Sequence, residues 1–147
     1  GIAIIQKIAT PWKIVRRGEK LQAYPQSKST LDFRGTVKCG ISISFDCKES
    51  EDIRGLPLKH IQDHQIEYIR EALGVGEISF ILCFIKKLNK RYLIPGQTVL
   101  DYWDAWKKNK GKKGYNLIYV EDMEEVVSRD GIIIDYLSAI TRKVVNA

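Results

Sequence analysis

The chain has 147 residues, 44% of them hydrophobic and 10% aromatic, enough to bury one core and too few for two ordinary domains. A formal net charge of +6 suits a polyanionic partner, though it serves solubility equally well. Cys39, Cys47 and Cys83 are odd in number and lack a short paired spacing, which argues against a disulfide framework or a zinc knuckle and leads to the expectation of a reducing cytoplasm; no apolar run approaches the ~18–20 residues that span a bilayer, so no membrane partner is expected.

Residues 2–8 and 12–15 are β-branched and aromatic runs parted by Thr10-Pro11, and they read as two strands meeting at a turn. Residues 18–28 are polar around Tyr24-Pro25 without a clear period, and read as an excursion from the sheet. Residues 33–38 and 41–48 flank Cys39-Gly40. In the second run Ile41, Ile43, Phe45 and Cys47 alternate with Ser42, Ser44, Asp46 and Lys48, a period of two that predicts a hairpin.

After Gly55-Leu56-Pro57, Leu58, Ile61, Ile69, Ala72 and Leu73 recur at helical intervals up to Gly74, which predicts a helix of about four turns. Residues 78–85 form an apolar run of strand length, 91–94 a short strand and 98–106 a helix carrying Tyr102, Trp103 and Trp106. A lysine-rich loop, 107–113, precedes a strand at 116–119, a short acidic helix from Glu121, and a segment at 132–140 that closes on the core. Together these predict one α/β domain over residues 1–147, a mixed sheet flanked by helices.

Metal-assisted phosphodiester hydrolysis needs two converging carboxylates and a cation near the attacking water or the phosphate. Asp46 and Lys48 share one strand face, while Cys47 between them points to the core and offers its backbone carbonyl as a hard oxygen ligand. Asp32, at the head of the preceding strand, is folded back by the hairpin alongside Asp46. Gln65 lies four residues from both Ile61 and Ile69 on the inward stripe of the helix, where an amide needs partners and can orient a nucleophilic water beside Asp46 and Lys48.

The plainer alternative makes Asp32 a turn residue, Asp46 and Lys48 an exposed strand face, and Gln65 a satisfied core amide. His60 and His64 suggest a two-histidine zinc site, but no metalloprotease glutamate accompanies them. Gly74-Val75-Gly76 lacks a third glycine and ends a helix, so it reads as a cap rather than a nucleotide loop.

The ordered set Ser29-Thr30-Leu31-Asp32-Phe33, Phe45-Asp46-Cys47-Lys48-Glu49-Ser50, Leu58-Lys59 and His64-Gln65-Ile66-Glu67 resembles the RecU family of Holliday junction resolvases. Tyr102-Trp103 with the following lysines, and Ile134-Asp135-Tyr136-Leu137, extend the likeness over nearly the whole chain. The resemblance implies a restriction-endonuclease-like core with a stalk formed by residues 18–28. It implies a homodimer that nicks four-way DNA junctions, Mg²⁺ held by Asp32, Asp46 and the Cys47 carbonyl with Mn²⁺ able to substitute, catalytic help from Lys48 and Gln65, and a strand-exchange recombinase as a further partner. Three positions depart from the family pattern: Leu31 stands beside the first aspartate in place of a hydroxyl residue, Asp46 replaces glutamate, and Pro25 occupies a stalk position that often holds an aromatic. Family members also begin with a glutamate-bearing helix, so the expectation is that the chain lacks it.

The densest basic cluster is Lys107, Lys108, Lys110, Lys112 and Lys113, which suits phosphate contact or a solvated loop; Arg16, Arg17, Lys20 and Lys28 flank the excursion and suit the same DNA. The apolar first strand, 2–8, and the aromatic stretch 102–106 are the expected dimer surfaces. Two readings compete with a resolvase: a repair or restriction-type nuclease acting on other DNA, and a non-catalytic DNA-binding recombination accessory protein.

Overall fold

The protein was analysed as a computed structural model that describes residues 3–26, 30–127 and 136–145. Its centre is a six-stranded mixed sheet in the order β1 (Ala3–Lys7), β4 (Phe33–Val37), β5 (Ile41–Ser50), β7 (Ile78–Ile85), β8 (Lys90–Pro95), β10 (Glu124–Glu125). The β5–β7 pair is parallel and the other neighbours are antiparallel. A parallel pair needs a crossover, and α1 (Asp63–Gly74) supplies it; α2 (Gly96–Lys108) packs beside α1 on the same side of the sheet. Helix α3 (Tyr136–Val145) covers the opposite side, its Ala139 and Ile140 buried against Ile43, Phe45 and Phe80. The predicted mixed α/β sheet flanked by helices is therefore the architecture found.

Both faces of β5 are thus covered. Ile43 and Phe45 belong to the α3 side, and Ser44 and Asp46 lie buried on the helical side. Phe33, Phe45 and Phe80 stack across β4, β5 and β7 with successive centroid distances of 4.9 Å, a ladder that pins Phe33 opposite Phe45 and Phe45 opposite Phe80. One step along, that register sets Asp32 across from Asp46. Gly35 permits the close approach of β1, since a Cβ there would lie 2.1 Å from the Ile4 carbonyl oxygen.

Several boundaries differ from the sequence reading. The excursion is a separate two-stranded hairpin of β2 (Trp12–Arg17) and β3 (Lys20–Pro25), so it begins at Trp12 rather than Gly18, and β2 pairs with β3 instead of joining β1 at a turn. Its two-residue turn uses Gly18 at φ 64°. Nearly every hairpin side chain is exposed, so no inside–outside alternation marked it. Helix α1 starts at Asp63, giving about three turns; Leu58 lies in a preceding 3₁₀ turn, Leu58–His60, after β6 (Gly55–Pro57), which pairs with β9 (Leu117–Tyr119). The acidic segment is a 3₁₀ turn, Val120–Asp122, followed by β10 rather than a helix. Trp103 is buried, with Trp106 edge-on against it at 5.2 Å, so the aromatic stretch belongs to the core and offers little dimer surface. Lys28 and residues 132–135 lie outside the described residues, while 136–140 of the closing segment are the first half of α3 and pack on the core.

Candidate active site

Asp46, at 1% exposure, is among the most buried side chains of the protein, which removes the reading of an exposed strand face. Three groups converge on its carboxylate. Lys48, two residues along the same face, places Nζ 2.9 Å from Oδ2. Gln65 on α1 donates from Nε2 to Oδ2 at 2.5 Å, and its Oε1 accepts from the Gln62 backbone N–H at 3.1 Å. Asp32 approaches from β4, anchored by a 2.7 Å hydrogen bond from the Ile8 N–H to its carbonyl.

The same amide thus closes the α1 capping box and holds Asp46, which explains why a polar residue stands on the inward stripe. Both of its ends are occupied by protein groups, so Gln65 is suited to positioning the carboxylate rather than a water. The Asp46 pKa is raised, first by burial and then by the hydrogen bond with Asp32, while Lys48 pulls it down. With both carboxylates ionised neither can donate to the other, and Asp46 Oδ1 is a buried oxygen with no hydrogen-bond partner among the described residues.

Such an oxygen is costly unless something cationic meets it. Two carboxylates and a backbone carbonyl form a hard oxygen donor set that fits Mg²⁺ or another small divalent cation better than zinc. Among the described residues no group of three or more His, Cys, Asp or Glu side chains gathers as a metal cluster; His60 sits in the 3₁₀ turn and His64 in the first turn of α1, so the two do not share one helix. Cys47 corrects the sequence reading. Its side chain reaches solvent rather than the core because the α3-side packing fades beyond Phe45, although burial and the two aspartates push its thiol up to about 11.

Leu31, the departure beside the first aspartate, is fully buried and spends its side chain on the core under α1 and α2. A polar network lies on the next rung of the sheet. Ser44 donates to Ser79 at 3.1 Å, Tyr68 of α1 donates to Glu77 Oε1 at 3.1 Å, and Ser42 donates to Glu77 Oε2 at 3.2 Å. Arg34, two residues after Asp32 on β4, pairs with Glu77 Oε2 at 3.6 Å and lies 5.9 Å from the Tyr68 ring centroid. The alternation that exposed Asp46 and Lys48 as a pair would have shown Asp32 and Arg34 as another.

The predicted basic residues do not gather at this centre. Arg16, Arg17 and Lys20 are exposed at the turn end of the β2–β3 hairpin. Lys107 and Lys108 close α2, and Lys110, Lys112 and Lys113 follow in an exposed turn. Lys107 is engaged locally, its Nζ 4.5 and 4.9 Å from the Trp103 and Trp106 ring centroids and 3.9 Å from Asp63.

Known proteins are similar to this chain in sequence. The Holliday junction resolvase RecU of Pediococcus pentosaceus is 30% identical over 154 residues, covering 99% of this chain and 76% of that protein. The resolvase of the same name from Streptococcus gordonii is 32% identical over 128 residues, covering 82% of this chain and 62% of that protein, so the chain spans less than two thirds of the streptococcal relative's length. Among solved structures, Archaeoglobus fulgidus Hjc, a Holliday junction resolvase from an archaeal hyperthermophile, superposes with a TM-score of 0.48 at 11% identity, over 84% of this chain and 82% of that one. The family model RecU, Recombination protein U, matches residues 1–142. The chain belongs to the RecU family.

Proposed function

We propose that the chain is a Mg²⁺-dependent endonuclease that nicks four-way DNA junctions as a two-fold dimer, with Mn²⁺ able to replace Mg²⁺. The observation that carries this reading is the buried, unpartnered Oδ1 of Asp46 beside Asp32, Lys48 and Gln65 in a RecU-family chain. Asp32, Asp46 and the Cys47 carbonyl would hold the ion, which when bound supplies Lewis acidity and a more acidic water. Gln65 fixes the Asp46 rotamer by tying Oδ2 to the start of α1, and so leaves Oδ1 for the ion. Lys48 brings a cation to the same carboxylate, where it stabilises charge developing on the phosphate. One centre per chain makes one cut, so two related cuts call for two chains related by a two-fold axis. A strand-exchange recombinase remains the protein partner implied by the resemblance.

The test is incubation with a synthetic four-way junction and with linear duplex of the same sequence, with and without Mg²⁺. Paired nicks confined to the junction are expected. Equal cutting of the duplex would point to a repair or restriction-type nuclease, and junction binding without Mg²⁺-dependent nicks to an accessory protein.

Two DNA-contact surfaces have separable roles. Lys108 at the end of α2 and Lys110, Lys112 and Lys113 in the turn after it are exposed, which suits phosphates without reading shape. Changing these four to Gln is expected to weaken junction and duplex binding alike and to flatten the plot of log affinity against log salt by up to about 3.6, near 0.9 per lost contact. A loss confined to junctions would assign shape reading to the turn instead.

The hairpin carries Trp12, Ile14 and Leu21 on one face, at 62%, 69% and 71% exposure, and Tyr24 with Lys13, Arg17 and Lys20 on the other. Apolar and aromatic side chains held so far from any core suit unstacked bases at a junction centre, and Trp12 with Tyr24 supplies the aromatic character that Pro25 lacks. Replacing residues 13–24 by a short glycine turn leaves the six-stranded sheet untouched, because the hairpin forms a sheet of its own. The expected result is a junction affinity reduced about tenfold or more, from the loss of stacking worth ~1–3 kcal/mol per base, with duplex affinity changed much less. Equal losses on both substrates, measured by titration at one salt concentration, would end the stalk reading.

A further inference from the structure

Arg34 is the second residue of β4 and Asp32 the residue just before that strand; the Asp32 side chain meets Asp46 while that of Arg34 meets Glu77 and the Tyr68 ring of α1, which puts both on the α1 side of the sheet. Arg34 pairs in register with Ser44 on β5, the rung next to that of Asp46. Its side chain is 45% exposed, whereas its partner Glu77 is only 9% exposed. Glu77 is itself fixed from two further elements, by Tyr68 of α1 and Ser42 of β5. A largely buried carboxylate therefore holds the inner edge of the guanidinium. The planar fork has five donors, and the outer ones remain available to a second anion on the solvent side.

Resting on the nuclease reading above, we infer that Arg34 is a substrate-positioning residue that grips the DNA phosphate next to the one at the Asp32–Asp46 centre, and that Glu77 is the positioning residue that aims it. The physical case is geometric. A cation one rung from the Asp32–Asp46 pair, on the same face of the sheet, stands beside the path of a DNA backbone whose scissile phosphate lies at Asp46. Guanidinium suits this task because it can meet a carboxylate on one edge and a phosphate on another. The Glu77 pairing also limits the rotamers Arg34 must give up when DNA arrives, which lowers the cost of the contact.

The inference is tested with Arg34→Gln, Arg34→Lys, Glu77→Gln and the double variant Arg34→Gln/Glu77→Gln, each first matched to the parent chain by thermal melting. Junction binding is measured by anisotropy in Ca²⁺ over a range of salt, and nicking by single-turnover rates in Mg²⁺. Arg34→Gln is expected to weaken binding about tenfold, the scale of one charge-assisted hydrogen bond, and to lower the salt slope by about 1. Arg34→Lys is expected to keep the salt slope while losing part of the affinity, because it keeps the charge and loses the fork; it also serves if Arg34→Gln does not fold. Glu77→Gln should keep the salt slope yet slow nicking at limiting DNA, and should add nothing further in the Arg34→Gln background, as expected if it acts only through Arg34. Binding, salt slope and rate all unchanged in Arg34→Gln would overturn the assignment, and independent, additive losses would overturn the role of Glu77. If the parent chain does not nick the junction, the nuclease reading fails, while the binding and salt-slope results still decide whether Arg34 meets a phosphate.

Discussion

Asp46→Asn and Asp32→Asn are each expected to abolish Mg²⁺-dependent nicking while leaving junction binding within about twofold. Either change removes one of the two carboxylates of the proposed metal site, and neither touches the exposed lysine turn or the hairpin. The Asp46 variant carries a second signature. Burial and Asp32 raise the Asp46 pKa, so the folded protein without metal holds a proton there more tightly than the unfolded chain does. The sign follows: this group's contribution to stability is fully present below the unfolded value of about 3.9 and is lost as pH rises through the raised folded value. At neutral pH without metal, Asp46→Asn should therefore melt at or a few °C above the parent chain, since Asn accepts from Gln65 and donates to Asp32 at no charge cost. Mg²⁺ should raise the melting temperature of the parent and not of the variant. Nicking by the parent should fade on acidification at a pH above the ordinary carboxylate range, because ligands must be deprotonated to hold the ion. Binding lost in parallel with nicking would assign these carboxylates to the fold instead of the chemistry.

The hairpin that brings Asp32 to Asp46 was legible in the alternation of residues 41–48, and the position of Gln65 followed from its spacing to Ile61 and Ile69. What alternation cannot tell is whether the less apolar face is covered. Ser44 and Asp46 read as the solvent side of a half-buried strand, yet they are buried, with Gln65 of α1 bonded to Asp46; Cys47 read as core, yet stands where α3-side packing runs out. Both outcomes depend on contacts made by segments distant in the chain. The strand at 12–15 was legible in its β-branched and aromatic residues, but β3 and its pairing with β2 were not, since strands with no buried face leave no periodic trace. Leu58 and Ile61 matched a helical period and are buried, but Pro57 precedes Leu58, and the capping interactions of Gln62 and Gln65 begin the helix only at Asp63. Arg34 follows Asp32 at the same two-residue spacing by which Lys48 follows Asp46, so the signal for it lay in the sequence as well.

Lys48→Ala should lower the single-turnover nicking rate by a factor of about 10²–10³, the usual loss when a preorganised group facing developing charge is removed. The ammonium lies 2.9 Å from Asp46 Oδ2 on a side chain only 17% exposed, so it is held where it acts and water does not replace it readily. Its removal has opposite consequences for metal binding and for chemistry. Lys48 shares the Asp46 carboxylate with the proposed ion, and two cations on one carboxylate repel each other. Lys48→Ala should therefore bind Mg²⁺ as tightly as the parent or more tightly, measured by calorimetry, even as the rate falls. Lys48→Arg should not restore the rate, because a bulkier planar fork cannot occupy the space beside Asp46 and Gln65 as a compact ammonium does. A loss of Mg²⁺ affinity that accounts for the whole fall in rate would make Lys48 a structural counter-ion of Asp46, and an unchanged rate would remove it from the mechanism.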